Sequence, residues 1–448
     1  MIELVIGNST SQLLGLSIKE YNEVKELMSY TLDPKAQYYS KSFGSGKKTL
    51  LTKKGEFPTG LLYIAEKWLT GQTKGLQTAK DFSTDLRTRP PKGKMFDLIL
   101  PHDPYEEQVS AATMASVKGR GIISAVTGFG KSTIIALIIQ KLQVPTLVVV
   151  PSLELKRQLS KSLSEAFGFE VGPGKPIWVE NVDALKMTPL KGYDCVIIDE
   201  FHHSAAKTYR DLNKKAWNGV YYRLGLTATP FRSNDNERLL LESVLSEVIY
   251  DVPHQLAVDK GYIVRMDAFY VTIPKTKKAK EYASYAAAYS DLIVNNPDRN
   301  ALIQELLVKF NRSNTSTLCL VKEIAHGETL SANGAFHFVS GQNDERHLIA
   351  DFCDERIKVL IGTTGVLGEG VDTRPCEAVI VATPVKSRNL FMQMVGRSFR
   401  RYPGKQSAVI ILIKDDSHKW FKSAFKEQVK ILAEEYGVIP EEIKLDTI

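Results

Sequence analysis

Cysteine is scarce: 448 residues hold four, Cys195, Cys319, Cys353 and Cys376. They form no CxxC pair and have no histidine at ligand spacing, so the spacing points neither to a disulfide framework nor to a zinc site. Cys195 and Cys319 lie inside apolar runs, where a thiol simply packs. Long hydrophobic runs are also missing, and none approaches the ~20 residues of a membrane span. The opening MIELVIGNST has neither a basic n-region nor a long apolar stretch. The expectation is a soluble, cytoplasmic protein with no membrane contact. Low-complexity tracts and fixed-period repeats are absent too, which excludes fibrous and solenoid classes.

What is present is ordinary globular material, 43% hydrophobic and 24% charged. It suffices for several cores and gives no case for extensive disorder. At about 150 residues per domain the length suggests roughly three units. The net charge of +7 is uneven: residues 1–95 carry 15 Lys+Arg against 9 Asp+Glu, and everything after them 43 against 42. A basic segment attracts polyanions, though a charge run is as often a solvated face.

The first 95 residues mix helical and hairpin patterns and end in a Pro-rich basic linker, RTRPPKGK. Within them KKTLLTKKGEFPTGLL reads as two short strands around a Lys-Lys-Gly turn. That hairpin would set Lys47, Lys48, Lys53 and Lys54 near Tyr38, Tyr39 and Phe57, a mixture that suits phosphate contact with base stacking. It reads equally as an exposed hairpin over a small aromatic core. From residue 100 apolar strand-like runs (GIISAVT, TLVVVP, CVIID, YYRLGLTATP) alternate with helical stretches. Such runs mark strands buried on both faces, hence a parallel sheet. A second series, TLCLV, AFHFVS, KVLIGTT, AVIVAT and SAVIILI, follows residue 260. The expected fold class is therefore α/β. An α+β accessory domain (1–95) precedes two tandem parallel-sheet domains (96–258 and 259–448), and an amphipathic helix, HKWFKSAFKEQVKIL, either packs on the last or serves a partner.

Strand GIISAV runs into TGFGKST and then the apolar helix IIALIIQKL. A glycine-bearing turn between strand and helix exposes backbone N–H groups to phosphate, with the helix dipole in support. Thr127, Gly128, Gly130, Lys131, Ser132 and Thr133 are the candidate nucleotide ligands. Lys131 would reach the β- and γ-phosphates and Ser132 would hold Mg²⁺, with Ala125 where the strict pattern has glycine. Sixty-eight residues on, Asp199 and Glu200 end the strand CVII. A carboxylate there suits Mg²⁺, and its neighbour suits the base that activates water. His202 and His203 raise a zinc alternative without the HExxH spacing.

These motifs, with others in the same order over residues 100–402, resemble those of superfamily 2 helicases. DPYEEQVSAA resembles the segment whose glutamine, here Gln108, reads adenine. VPSLELKRQ resembles motif Ia, VENVDAL motif Ib, DEFHH the DExH box, LTATP motif III, and TLCLV motif IV. IGTTGVLGEGVD resembles motif V and QMVGRSFR motif VI. EFPTGLL and YSDLIVNNPDRNALI further resemble the phage recombination helicases of the UvsW type, and more distantly the XPB and type III restriction motors. The resemblance implies two RecA-like motor domains, ATP and Mg²⁺ as cofactors, and a DNA partner in branched or duplex form, with recombination or replication proteins alongside. It also implies that Gly370 and Asp372 join the nucleotide site, that Thr227 and Thr229 couple it to the strand track, and that Ser152, Gly341, Thr363 and Thr364 grip phosphates without reading sequence.

Q-x-x-G-R-x-x-R is expected to put Gln393, Arg397 and Arg400 on one helical face, with the guanidiniums reaching a γ-phosphate in the transition state. Besides Ala125, two departures stand out. Tyr105 is three residues before Gln108 rather than adjacent, and Glu180-Asn181 replaces a common threonine in motif Ib. Other readings are an RNA helicase, for which no RNP1 sequence is visible, the motor of a restriction or repair nuclease, for which no PD-x-ExK spacing exists, and a non-enzymatic nucleotide switch, against which Lys131, Asp199, Glu200 and Arg400 stand together.

Overall fold

The computed structural model describes residues 2–31, 46–72, 78–93, 96–187, 189–201, 207–228, 235–273, 281–332, 334–341, 345–367, 373 and 375–444. Tyr38, Tyr39, His202, His203, Thr229, Gly370 and Asp372 lie outside them. The chain forms two compact units that divide between Val252 and Pro253, the loop residues Thr127–Phe129 grouping with the second.

The first unit begins with a small mixed sheet. Strands β1 (Glu3–Ile6), β2 (Thr10–Leu14), β5 (Glu56–Pro58) and β6 (Ser83–Asp85) lie in the order β5-β2-β1-β6. A separate antiparallel ribbon pairs β3 (Ser29–Thr31) with β4 (Lys47–Thr49). The hairpin expected from KKTLLTKKGEFPTGLL is therefore not formed: β4 pairs with β3, and β5 pairs with β2. Gly55, at φ +80°, turns the chain between them, and a Cβ there would come 2.1 Å from the Leu13 carbonyl oxygen. Helices α1 (Ile18–Leu27) and α2 (Leu62–Gln72) cover the sheet with Val24, Ala65 and Trp68, joined by Leu61 from the turn before α2. A reciprocal Ser17/Glu20 capping box starts α1.

The rest of the first unit is an all-parallel sheet in the order β12-β7-β11-β10-β8-β9: β7 Arg120–Ala125, β8 Thr146–Val150, β9 Ile177–Asn181, β10 Cys195–Ile198, β11 Tyr222–Thr227 and β12 Val248–Val252. Helices α3 (Glu106–Lys118), α4 (Lys131–Leu142), α5 (Leu153–Phe167), α6 (Lys207–Lys214) and α7 (Asp235–Val244) alternate with the strands. Because β7, β8, β10 and β11 are buried on both faces, their sequences run apolar without alternation.

The small sheet is built into this unit. Gly60, from EFPTGLL, lies so close to α7 that a Cβ would come 2.1 Å from the Glu242 carbonyl oxygen. The Tyr63 hydroxyl donates to the Glu242 carboxylate, and Leu239 joins the small sheet's core. Two guanidiniums complete the attachment. Arg120 and Arg223 are register partners on β7 and β11, and both are buried. Arg120 donates to the Asn8 carbonyl, while Arg223 donates to Ser9 Oγ (3.0 Å), Asn213 Oδ1 (2.5 Å), the Val220 carbonyl (3.1 Å) and the Trp217 carbonyl. Burial, then their neighbouring cations, lowers the pKa of both. Carbonyl and amide oxygens stand in for a carboxylate. Arg223→Ala strands several of these acceptors at about 1–3 kcal/mol each, so chemical denaturation is expected to show a loss on the order of 3 kcal/mol or more. The linker is fastened as well: Arg89 Nε donates to Tyr222 Oη (2.9 Å) and its Nη2 to the Ser116 carbonyl (2.9 Å).

The second unit is an all-parallel sheet in the order β15-β16-β14-β17-β18-β13-β19: β13 Arg265–Thr272, β14 Thr317–Val321, β15 His337–Val339, β16 Val359–Thr363, β17 Ala378–Val381, β18 Ser407–Lys414 and β19 Glu441–Glu442. Helices α8 (His254–Asp259), α9 (Pro297–Arg312), α10 (Ile324–Ser331), α11 (Thr364–Leu367), α12 (Arg388–Val395) and α13 (Lys419–Tyr436) belong to it. The NNPDRNAL pattern proves structural. Asn296 caps α9, with Pro297 at its first turn. Arg299 is buried in an ion pair with Asp415 (3.0 Å) and donates to the Ala382 carbonyl. The carboxy-terminal helix packs within this unit through Phe421, Ala424, Ile431 and Leu432. No helix among the described residues is long and apolar enough to cross a membrane.

Candidate nucleotide site and phosphate-gripping loops

The turn after β7 has glycines where the backbone demands them. Gly128 (φ +87°) and Gly130 (φ +89°) adopt left-handed conformations, and Gly130 is the N-cap of α4. Lys131, Ser132 and Thr133 therefore open an apolar helix whose first N–H groups face the turn. Gln108 closes one side of it: a Cβ on Gly130 would lie 2.6 Å from Gln108 Nε2. Its Oε1 meanwhile accepts from the Tyr105 N–H (2.9 Å). The three-residue spacing of Tyr105 and Gln108 is thus that of a helix cap and its N3 partner.

Asp199 and Glu200 follow β10 at the carboxyl edge of the same sheet. Glu200 is held at φ +48°, an uncommon conformation for a side-chain-bearing residue, and its N–H donates to Asp199 Oδ1 (3.0 Å). Lys131 Nζ lies 3.1 Å from Glu200 Oε1, so the P-loop lysine and the acidic pair form one cluster. Asp199 is buried, and its carboxyl is pushed upward by burial first and by Glu200 second, with Lys131 opposing. Among the described ion pairs, two adjacent carboxylates face the one Lys131 ammonium, electrostatics that suit a divalent cation. Thr227 ends β11, the strand between β7 and β10, and is fully buried.

Ser152 is the N-cap of α5, its hydroxyl accepting from the Leu155 N–H (3.2 Å). Glu180, where a threonine is frequent, pairs with Lys156 (2.5 Å) and accepts from the Asn181 N–H. That carboxylate is spent internally.

In the second unit β15 and β16 are neighbours, which brings Gly341, Thr363 and Thr364 to one edge. Gly341 has φ +79°, and a Cβ there would come 2.5 Å from Val366 Cγ2. Gln393 lies in α12, but the helix stops at Val395. Arg397 sits in a 3-10 turn (Gly396–Ser398), and Arg400 pairs as an isolated antiparallel bridge with Ile263. The three residues expected on one helical face are therefore on three different backbone conformations. The α-helix ends before Arg397 is reached, and i, i+4 spacing alone does not register that. Of the amino-terminal lysines, Lys47 pairs with Glu26, while Lys48, Lys53 and Lys54 are exposed. Reasoning from motifs also passed over Arg120, Arg223 and Lys405, because an arginine in an apolar strand or a lysine after Pro-Gly reads as surface.

A P-loop against an Asp-Glu pair on one parallel sheet, followed by a second parallel sheet with a basic motif, defines a two-unit nucleotide-dependent motor. The Type III restriction enzyme res subunit family matches residues 99–232, and the helicase conserved C-terminal domain matches residues 298–402. Together the two matches, in this order along the chain, support a superfamily 2 helicase. It is 28% identical over 267 residues to a putative helicase 22 of Sulfolobus islandicus filamentous virus, covering 55% of this chain and 47% of that protein. It is 26% identical over 340 residues to a putative DNA 3'-5' helicase Rad25 of Halobacterium salinarum, covering 70% and 54%. The chain thus spans about half the length of these two relatives. The ATP-dependent DNA helicase uvsW of phage T4 is 21% identical over 355 residues, covering 72% and 70%. In structure, a fragment of a putative HsdR subunit of a type I restriction enzyme from Vibrio vulnificus superposes with a TM-score of 0.58 at 19% identity, over 78% of this chain and 69% of that one.

Proposed function

We propose that the protein is an ATP-driven DNA helicase or translocase that works on duplex or branched DNA, such as forks, displacement loops and four-way junctions. The observation that carries the reading is the Lys131–Glu200–Asp199 cluster at the carboxyl edge of a parallel sheet. Lys131 serves the β- and γ-phosphates, Ser132 and Asp199 hold Mg²⁺, and Glu200 takes the proton from attacking water. Thr127, Gly128, Gly130 and Thr133 line the phosphate turn, Gln108 faces the base, and Gly370 and Asp372 belong to the same nucleotide. Gln393, Arg397 and Arg400 act on the γ-phosphate during turnover. Gly341, Thr363 and Thr364 grip one strand through phosphate, and Ser152 contributes through the helix it caps.

DNA rather than RNA is favoured by relatives described as DNA helicases and by the small basic sheet. That sheet is fastened to the parallel-sheet part of the first unit by Arg120, Arg223 and Tyr63, so the exposed Lys48, Lys53 and Lys54 are carried with it. Recombination, repair or replication restart is the setting such a substrate implies. The test is ATP hydrolysis at fixed salt with single-stranded DNA, duplex, four-way junction or RNA as stimulant. Stimulation is expected to be greatest with the junction and least with RNA. Equal or greater stimulation by RNA would reject the DNA reading and favour an RNA helicase.

A further inference from the structure

After α12 ends at Val395, the segment through Gly404 carries Arg397 and Arg400 without regular secondary structure to hold it beyond one 3-10 turn and one bridge. Several contacts nevertheless fix its backbone. The Phe399 carbonyl accepts from the Val264 N–H (3.0 Å). The Phe399 ring is fully buried between His254 (5.1 Å between centroids) and Tyr436 (5.3 Å). Arg401 Nη1 donates to the Gly261 carbonyl (2.8 Å), and Tyr402 Oη donates to Glu355 Oε1 (2.6 Å).

One side chain gathers the remaining carbonyls. Lys405 Nζ donates to the Cys376 carbonyl (2.5 Å), the Ser398 carbonyl and the Arg400 carbonyl (3.1 Å). An ammonium has three donors, and here all three go to main-chain oxygens. No described carboxylate forms an ion pair with it. Burial lowers its pKa, partly offset by Cys376 and Glu377. A lysine exposed to solvent keeps its water; this one has exchanged it for two carbonyls flanking Phe399 and one just before β17. The compact ammonium suits three converging oxygens, whereas a planar guanidinium does not.

We propose that Lys405 is a positioning residue for the arginine turn: it ties Ser398 and Arg400 to the Cys376 loop and thereby sets where the Arg400 guanidinium is presented during ATP turnover. This rests on the reading of Arg400 given above. Loss of the tie leaves nucleotide binding intact but lets the guanidinium wander, and misplacement of about 1 Å costs on the order of 100-fold in rate.

The experiment is steady-state ATP hydrolysis by the full chain, with saturating DNA, for Lys405→Met, Arg400→Ala and the double variant. Lys405→Met is expected to lower kcat by about 10- to 100-fold with KM for ATP unchanged within about twofold. The double variant should be no slower than Arg400→Ala alone, because a residue acting only through Arg400 has nothing further to lose. Lys405→Gln, which keeps amide donors, should recover part of kcat, and it replaces Lys405→Met in the same cycle if that protein does not fold. Losses that multiply in the double variant, or a KM that rises in step with falling kcat, would overturn the proposal. Full turnover by Lys405→Met beside a crippled Arg400→Ala removes this proposal alone, and full turnover by Arg400→Ala removes the arginine reading and this proposal with it.

Discussion

Glu200→Gln is expected to reduce DNA-stimulated ATP turnover by about 100- to 10,000-fold, the range for loss of a general base, while ATP still binds. Glu200 leaves β10 at φ +48° with its N–H on Asp199 Oδ1, so the two adjacent carboxylates stand in different surroundings. Asp199 is buried, and burial first and Glu200 second push its carboxyl upward. Glu200 is more exposed and lies against Lys131. Glutamine keeps the side chain's length and polarity but cannot accept a proton. It also releases Lys131 from its ion pair, so ATP affinity should hold or rise. Lys131→Ala, by contrast, should lose phosphate affinity together with turnover. Measured hydrolysis rates and nucleotide-binding titrations separate the two cases, and a Glu200→Gln protein hydrolysing at the normal rate would remove the base assignment.

Arg400→Ala carries the other large effect. Arginines that neutralise the γ-phosphate in the transition state contribute factors of about 10³ to 10⁵, so kcat is expected to fall by that order with ATP affinity nearly unchanged. The backbone of Arg400 is bridged to Ile263 and its carbonyl is held by Lys405, so truncating the side chain leaves the turn in place. A single-turnover measurement with bound ATP tests this. Undiminished hydrolysis would take the second unit's arginine out of the chemistry.

Much of the architecture was legible in the sequence because strands buried on both faces cannot alternate. TLVVV, CVII, TLCLV and AVIV announce parallel sheets by composition alone, and all four are fully buried strands. The P-loop and the acidic pair were legible for a related reason, since their spacing to strand and helix ends is set by local backbone geometry. Elsewhere local pattern was insufficient. KKT and EFP look like the two arms of a hairpin, yet each finds a different partner, because pairing depends on which edge is free and not on the intervening turn. QMVGRSFR keeps helical spacing past the point where the helix has ended.

By itself the sequence determined the two parallel sheets, their order along the chain, and the glycine-rich turn and acidic pair that carry Lys131, Asp199 and Glu200. Each of these depends on residues within a few positions of one another, or on a periodicity that burial enforces. Only the tertiary structure decided what the isolated cations do. Arg120 and Arg223 lie in strands whose neighbours are apolar, and they become attachment points for the small basic sheet only when the Asn8–Ser9 turn closes over them. Lys405 sits in an exposed-looking Pro-Gly-Lys, and it becomes a tie for the arginine turn because three carbonyls from residues 376, 398 and 400 converge on it. A buried charge takes its role from whichever acceptors surround it, and those acceptors come together only when distant segments pack.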